Sequence, residues 1–257
     1  MSEHAARGAG LPEAVAGATA HGSPAAVAER ESAGPVLQAA RIYKEFPSGE
    51  GRLEVLKGVD FALTSGETVS IVGESGAGKS TLLQILGGLD RPTRGQVILA
   101  GAHLGRLDDR SLSRVRNREL GFVFQFHHLL MEFSALENVM MPLLIRGMPR
   151  AEAQPLAQAV LERVGLGERL SHQPRALSGG EQQRVAVARA IVHRPSVILA
   201  DEPSGNLDHR NSSRLHELLF ELTRERRAAF VVVTHNRELA GETDRCLALE
   251  DGLLHAT

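Results

Sequence analysis

The chain has 257 residues, of which 42% are hydrophobic and 23% charged, a composition typical of an ordinary globular protein. Its net charge of −2 excludes a surface that is basic throughout, so direct nucleic-acid binding is not expected. The single cysteine, Cys246, excludes an internal disulfide and a cysteine-rich metal site. No apolar run approaches the roughly 20 residues that span a bilayer, so we expect membrane contact only through partners.

Residues 1–35 are rich in alanine and glycine and contain no aromatic side chain. They show no sustained hydrophobic periodicity and therefore offer little that a core could bury. We expect a disordered extension over residues 1–35 and a folded domain over residues 36–257.

The folded part begins with two segments typical of half-exposed strands. VLQAARIYKEF starts at Val36, VLKGVDFAL starts at Val55, and PSGEGR between them predicts a turn. An aromatic side chain of the first segment could stack on an adenine ring, and Tyr43 and Phe46 are the candidates. Either ring could equally pack in the core, so this segment alone does not decide between them.

The stretch GESGAGKST follows the apolar run Thr68–Val72 and precedes a helix-like run that ends at Leu86. It fits the pattern G-x-x-x-x-G-K-[ST] in the strand, loop and helix order of a phosphate-binding loop. Glycines let backbone N–H groups approach a polyphosphate, and the helix adds its positive dipole end. We expect Lys79 to contact the phosphates of a nucleotide and Ser80 to bind Mg²⁺. The nucleotide-binding residues of this loop are Gly73, Glu74, Ser75, Gly76, Ala77, Gly78, Lys79, Ser80 and Thr81.

The next hundred residues predict a short strand at QVILAG and then mostly helices. SLSRVRNREL is typical of a polar helix with Leu112 and Val115 facing inward, and a buried strand then ends at Gln125. Ser134-Ala-Leu-Glu137 is a capping box that opens another helix. The expected apolar face of the helix after that consists of Leu156, Val160, Leu161 and Val164. We expect an inserted helical subdomain at about residues 125–175.

Two unbroken apolar runs, Val197–Ala200 and Phe230–Val233, are typical of parallel strands covered on both faces. A helix around residues 211–225 separates them, and the Asp-Gly pair in LALEDGLL predicts a final hairpin. Asp201 and Glu202 follow the first run, and adjacent carboxylates at a buried strand end need a cation or donors. We expect Asp201 to bind Mg²⁺ and Glu202 to polarise a water in line with the γ-phosphate.

The stretch LSGGE places two glycines in the first turn of a predicted helix. Ser178 and Glu181 make a capping box, which does not explain Gly179 and Gly180. A glycine within a helix costs on the order of 1 kcal/mol relative to alanine. The pair is explained if an anion approaches the helix N-terminus. Ser178, Gly179 and Gly180 therefore predict a second phosphate-binding segment, which one subunit could offer to a nucleotide held by another.

Gln125 and His235 lie at predicted strand ends, the edge where open α/β sheets bind nucleotides. His235 could donate a hydrogen bond to the γ-phosphate, although a lone histidine is more often structural. The Gln125 amide could contact Mg²⁺ or the attacking water.

In order and spacing, these motifs resemble the nucleotide-binding subunit of an ABC transporter. The motifs are GESGAGKS, Gln125, LSGGE, VILADEP, SGNLD and His235, and the resemblance covers roughly Val36 to the C-terminus. It implies an α/β fold with a P-loop NTPase (RecA-like) core, an antiparallel β subdomain and an inserted helical subdomain. It also implies ATP hydrolysis with Mg²⁺ as cofactor.

The resemblance implies a role for each matching residue. Lys79, Ser80 and Asp201 would bind the nucleotide and Mg²⁺. Glu202 would be the catalytic base, and His235 would contact the γ-phosphate as a switch.

The resemblance also implies partners. Ser178, Gly179 and Gly180 would clamp the nucleotide of a second copy in a head-to-tail, ATP-sandwich dimer. Gln125 would couple the site to two membrane-spanning permease subunits, at the cytoplasmic face of the inner membrane. Asp208 would lie in the loop that links the two nucleotide sites. The adenine-stacking position falls at Phe46 rather than Tyr43, and Glu181 stands where many members have Gln.

Within the family, FQFHHLL, ALENVMMPLLI and the SGNLD loop are similar to ATPases of lipoprotein-releasing systems. MacB-type exporters and the FtsE cell-division ATPase share parts of this pattern. Soluble relatives that act on nucleic acid or ribosomes usually add a coiled-coil insertion, zinc modules or a second ATPase copy, which this sequence lacks. A regulatory, non-hydrolysing subunit is disfavoured because Glu202 and His235 are both present.

Overall fold

The computed structural model describes residues 34–49 and 51–257. The predicted extension therefore lies outside the described residues, except for its last two. The strands are β1 (Leu37–Ser48), β2 (Gly51–Leu63), β3 (Thr68–Val72), β4 (Arg94–Leu99), β5 (Ala102–His103), β6 (Leu120–Phe124), β7 (Val197–Asp201), β8 (Ala229–Val233), β9 (Arg245–Glu250) and β10 (Leu253–Ala256). The helices are α1 (Lys79–Leu86), α2 (Asp109–Glu119), α3 (Ala135–Ile145), α4 (Arg150–Arg163), α5 (Gly179–Ile191), α6 (His209–Arg226) and α7 (Arg237–Gly241), with 3₁₀ turns at Leu104–Arg106, Gly167–Arg169 and Pro174–Ala176.

The first sheet is antiparallel, in the order β2-β1-β4-β5, which confirms the expected β subdomain. The turn predicted over PSGEGR is wrong in extent, because Pro47 pairs with Arg52 and Ser48 with Gly51. The strands stay paired through this polar segment because the pairing is made by backbone groups. The pattern of apolar and polar side chains therefore does not reveal it. Among the described residues between Ser48 and Gly51, only Gly49 lies in a turn.

The second sheet has the order β10-β9-β3-β8-β7-β6 and carries the parallel core. β3 runs parallel to β8 and β9, and β7 runs parallel to β6 and β8. The carboxyl ends of these strands meet at one edge, where Phe124 pairs with Asp201 and Asp201 pairs with Val233. The segments that follow β3, β6, β7 and β8 therefore converge there, as ligand-binding segments do in open α/β sheets.

Helices cover both faces of the parallel sheet and create two buried clusters. One cluster joins α3, α4, α5 and α6 to one face, and the other joins α1 and the antiparallel sheet to the opposite face. Because α5 begins at Gly179 yet packs against α3 and α4, the buried contacts of these helices extend beyond residue 175. The subdomain boundary of about 125–175 stays a prediction.

The expected apolar face of α4 is wrong at Leu156, which is 44% exposed. The buried positions are Ala153, Ala157, Val160 and Leu161, at the i, i+4, i+7 and i+8 spacing of one helix face. Alanine contributes weakly to a hydropathy pattern, so the sequence alone favoured the larger leucine.

Other local predictions are confirmed. Both capping boxes form, at Ser134 with Glu137 and at Ser178 with Glu181. The Asp-Gly pair closes the hairpin of β9 and β10, with φ of 49° at Asp251 and 80° at Gly252, as a two-residue hairpin turn requires.

Across residues 34–49 and 51–257, no helix combines the length and apolar character that crossing a membrane requires.

Candidate functional site: a nucleotide-binding cleft

A cleft of about 500 Å³ opens where the ends of the parallel strands converge. It brings together the predicted phosphate loop, the acidic pair, the glutamine and the histidine. The lining residues are Val55, Gly73, Ser75, Gly76, Gly78, Lys79, Ser80, Thr81, Gln125, Asp201, Glu202, Val233 and His235. Val55 is a wall residue that the sequence motifs did not indicate, because it belongs to β2 of the other sheet.

The backbone of the phosphate loop depends on its glycines. Gly73, Gly76 and Gly78 have φ of 154°, 84° and 96°, values that L side chains rarely adopt. A Cβ at Gly78 would lie 2.7 Å from Cγ1 of Val55, and one at Gly73 would collide with the carbonyl of Leu249. Gly78 is also the N-cap of α1, so the positive end of that helix faces the cleft.

Lys79 is buried within the loop, with 9% of its surface exposed. Its ammonium donates to the carbonyl oxygens of Gly73 and Glu74, each at 2.8 Å. These bonds hold the positive charge at the centre of the turn, where a polyphosphate would meet the glycine N–H groups.

Ser80 and Asp201 converge from the two sides of the cleft. The Ser80 hydroxyl donates to Oδ1 of Asp201 at 3.1 Å. The pKa of the Asp201 carboxyl is raised, chiefly by burial and also by the nearby Glu202 charge. The Ser80 hydrogen bond and the Lys79 charge oppose this shift and lower the pKa. A carboxylate that is desolvated in this way gains most from a bound cation.

The oxygen donors here fit Mg²⁺, which favours carboxylate, hydroxyl and phosphate oxygens and retains several waters. Ser80 and Asp201 already share a hydrogen bond, and Gln125 adds an amide to the same cleft.

Glu202 presents its carboxylate from a strained backbone. Its φ is 44°, which is unfavourable for a residue other than glycine, and its N–H is anchored to the Val233 carbonyl at 2.9 Å. The carboxylate accepts from the Thr234 hydroxyl at 3.2 Å and contacts Nδ1 of His235 at 2.8 Å. Thr234, which directly precedes His235, is a neighbour of this carboxylate that the sequence motifs did not indicate.

Gln125 lies immediately after β6 and hydrogen-bonds to Asn206 in the loop after β7. Asn206 is part of the SGNLD motif, yet its contact with Gln125 was not predicted. Asp208, at the end of that loop, caps α6 by accepting from the N–H of Asn211 at 3.0 Å.

The LSGGE segment does not share this cleft. Ser178, Gly179 and Gly180 form the N-terminus of α5, and none of them is among the described residues that line the cleft. Backbone and side-chain hydrogen bonds with Ser178 lower the pKa of Glu181, whose carboxylate completes the capping box. The box occupies the N–H groups of Ser178 and Glu181, so those of Gly179 and Gly180 remain for an external acceptor.

The two candidate aromatic side chains lie in different surroundings. Phe46 is 38% exposed and pairs across the sheet with Leu53, which lines a neighbouring cavity of about 690 Å³ beside the phosphate loop. Tyr43 is covered by the Arg94 guanidinium at 4.1 Å and lies against Gly58. This geometry favours Phe46, and its stacking role stays a prediction.

Comparison with known proteins decides the family. The sequence profile of ABC transporters matches residues 56–205, more than half of the chain. The chain belongs to the ABC transporter family. As an ABC transporter family member with a P-loop NTPase fold, it is an ABC-type ATPase, which confirms the resemblance seen in the sequence motifs.

Relatives of this ABC ATPase cover almost its whole folded part. It is 54% identical over 220 residues to the "Lipoprotein-releasing system ATP-binding protein LolD" of Alcanivorax borkumensis, covering 86% of this chain and 96% of that protein. It is 53% identical to LolD of Geobacter metallireducens over 217 residues, covering 84% and 96%. A solved structure of the ATP-binding cassette MJ0796, dimeric and "bound to ADP and Pi", matches with a TM-score of 0.79 and 39% identity over 85% of this chain and 96% of that chain. A second dimeric structure of MJ0796, a "Bacterial ABC Transporter Cassette", matches at 40% identity with the same TM-score and coverage.

Proposed function

We propose that this ABC ATPase powers a lipoprotein-releasing transporter, as the counterpart of LolD. The observation that carries the proposal is the match at 50–54% identity to LolD proteins over 92–97% of their length. A match over this span includes the cleft together with the segments between Gln125 and α4, where partner contacts are expected.

Hydrolysis would use the groups that the cleft already orients. Glu202, held by Val233 and Thr234, would accept a proton from a water positioned in line with the γ-phosphate. Lys79 and the N–H groups of the phosphate loop would stabilise negative charge as it develops on the transferred phosphoryl group. His235, at the rim of the cleft, would contact the γ-phosphate.

Ser80, Asp201 and Gln125 are the residues that would hold Mg²⁺. When bound there, Mg²⁺ neutralises charge on the nucleotide phosphates. The chain's own contribution is a partly buried carboxylate and a hydroxyl that are already 3.1 Å apart.

A second copy of the chain would complete each site. Gly179 and Gly180 have free N–H groups at the start of α5, outside their own cleft. Such a helix end binds anions, so the γ-phosphate of the nucleotide held by an opposing copy is the natural acceptor. The proposed assembly is a head-to-tail dimer with two nucleotides between the copies, and the dimeric MJ0796 structures support it.

An apolar surface next to Gln125 would receive the membrane subunits. Phe126, Leu130, Met131 and Phe133 are 66%, 41%, 43% and 38% exposed, and all lie between Gln125 and α3. Several exposed large apolar side chains concentrated in one short segment are typical of an interaction site. We propose that it binds cytoplasmic segments of two permease subunits of the LolC/LolE type, which would place this chain peripherally at the cytoplasmic face of the inner membrane.

The test is to isolate the full-length protein with its membrane partners in mild detergent and identify them by mass spectrometry. Two results together would support the proposal. LolC/LolE-type subunits should be recovered with the protein, and the ATPase activity of the isolated complex should rise when lipoprotein is bound to it. Recovery of a drug or peptide exporter's membrane subunit, or of a cell-division partner, would overturn the lipoprotein assignment and leave the ATPase intact.

A further inference from the structure

Gln125 and Asn206 form a reciprocal pair of hydrogen bonds. Nδ2 of Asn206 donates to the backbone oxygen of Gln125 at 3.0 Å. Nε2 of Gln125 donates to Oδ1 of Asn206 at 3.3 Å. The two residues are 81 positions apart and meet because β6 and β7 are neighbours in the sheet.

This pairing determines which end of the Gln125 amide is free. A backbone carbonyl oxygen only accepts hydrogen bonds, so Asn206 must turn its NH₂ group towards it. Oδ1 of Asn206 then faces the Gln125 side chain and requires a donor, which only Nε2 can supply. The remaining end of that amide, Oε1, is left for the cleft that Gln125 lines.

The loop that carries Asn206 is held in place on both sides. Ser204 is buried, and its hydroxyl lies 2.8 Å from Nε2 of the buried His216 on α6. The N–H of Gly205 donates to the Glu202 carbonyl at 3.0 Å, and the N–H of Leu207 donates to the Ser204 carbonyl at 3.0 Å. Asn206 is therefore held in a fixed position, in the loop that follows the acidic pair.

Gly205 supplies a second, steric contact with the same amide. A Cβ added at Gly205 would lie 2.9 Å from Nε2 of Gln125. The φ of Gly205 is not in the left-handed region, so alanine is compatible with the backbone there. The loop thus contacts the Gln125 amide in two ways. Asn206 hydrogen-bonds to it, and Gly205 leaves the space that the amide occupies.

We propose that Asn206 is a positioning residue that orients the Gln125 amide so that Oε1, the metal-binding end, faces the nucleotide. This inference rests on the proposed role of Gln125 at the Mg²⁺ site. It assigns to the asparagine of the SGNLD loop a function in metal-dependent nucleotide binding, exerted through Gln125.

The experiment measures the affinity of the full-length protein for the fluorescent analogue mant-ATP, in EDTA and at a series of Mg²⁺ concentrations. For Asn206→Ala we expect the Mg²⁺-dependent gain in affinity to fall about two- to tenfold, the effect of losing one hydrogen-bonded constraint. The affinity in EDTA should stay unchanged, because the phosphate loop is untouched.

Matched variants separate orientation from general damage. Gly205→Ala should lower the Mg²⁺-dependent gain as Asn206→Ala does, whereas Gly105→Ala, whose Cβ would meet open space, should not. Gln125→Glu has a carboxylate with two oxygens, so either orientation presents an oxygen to the metal. Adding Asn206→Ala in that background should therefore have no further effect on Mg²⁺ dependence.

A readout without metal or nucleotide tests the contact itself. In a ¹⁵N-glutamine-labelled sample, the Nε2 protons of Gln125, identified by their loss in Gln125→Glu, should exchange with water faster in Asn206→Ala than in wild type. If wild-type protein binds mant-ATP with a Mg²⁺-dependent gain that Asn206→Ala retains in full, the orientation role is refuted and the proposed function stands. If the wild-type protein binds no mant-ATP at all, the orientation role and the proposed function are both refuted.

Discussion

Nδ1 of His235 lies 2.8 Å from Oε1 of Glu202, across the end of the nucleotide-binding cleft. The two side chains are unequally placed, because 75% of the His235 side chain is exposed and only 17% of the Glu202 side chain. The carboxylate is thus held by two neighbours, Thr234 and His235, while the Val233 carbonyl anchors the backbone N–H of the same residue. The imidazole can reorient towards a bound γ-phosphate without disturbing the buried core. This asymmetry makes Glu202 the better candidate for proton transfer and His235 the better sensor of the nucleotide.

Glu202→Gln should bind ATP and hydrolyse it about 10²- to 10⁴-fold more slowly, the usual contribution of a general base. Glutamine preserves the shape and the Thr234 contact but does not accept the proton. ATP should therefore accumulate in a stable dimer, which size-exclusion chromatography with ATP would detect beside the ATPase assay. Glu242→Gln, an exposed position, is the matched control. Near-normal turnover in Glu202→Gln would remove Glu202 from its proposed role.

Much of this cleft could be predicted from sequence because its parts are locally encoded. The phosphate loop, the acidic pair and the LSGGE cap are each short motifs whose spacing determines their geometry. The capping box of Ser178 and Glu181 is an example, since both hydrogen-bond partners lie within one helical turn. The convergence of the phosphate loop and the acidic pair at one edge followed from a general property of parallel sheets, whereas the LSGGE cap lies outside the cleft.

The contacts that were missed depend on strand order or on backbone pairing. Asn206 meets Gln125 only because β6 lies next to β7, and no local pattern encodes that neighbour relationship. Val55 enters the cleft from the other sheet. Leu156 was misplaced because burial of α4 depends on small alanines that a hydropathy pattern underweights.

Gly179→Asp should abolish hydrolysis without harming the fold. A Cβ at Gly179 would meet open space, and an aspartate in the first turn interacts favourably with the helix dipole. A phosphate of the opposing copy would instead meet a negative charge, so we expect ATPase activity to fall by at least about a hundredfold. ATP-dependent dimerisation in the Glu202→Gln background should also be lost.

Binding of mant-ATP to the monomer and the thermal midpoint should remain at wild-type values in Gly179→Asp, because its own cleft is intact. Retained dimerisation and turnover would show that the start of α5 does not meet a nucleotide.

Phe126→Ser should weaken coupling to the membrane subunits and leave basal activity unchanged. The side chain is 66% exposed, so its removal costs the isolated fold little. In a partner complex it would be an aromatic anchor, and we expect the affinity for permease subunits in detergent to fall about five- to thirtyfold. Leu253→Ser, at an exposed site on β10, is the control. Wild-type affinity of Phe126→Ser would place the membrane partners on another surface.

His193 should make the protein lose stability as the pH falls from about 6.5 to about 4. Burial lowers its pKa from 6.5 to about 4, opposed by the contact of Nε2 with the Leu120 carbonyl at 2.9 Å. Nδ1 is buried without a hydrogen-bond partner among the described residues, so a proton there would leave a cation in the core. The folded state therefore keeps His193 neutral at pH values where the unfolded state binds a proton.

The sign follows from that difference in proton uptake. Stability from the neutral imidazole is complete above the unfolded pKa and decreases below it, by up to about 3 kcal/mol at pH 4. Burial also lowers the pKa of His127 and His216, so His193→Gln should remove part of the slope rather than all of it. Urea unfolding of the nucleotide-free protein between pH 4 and pH 8 measures this slope. His255→Gln, on the exposed end of β10, should keep the wild-type slope, and an unchanged slope in His193→Gln would contradict the assignment.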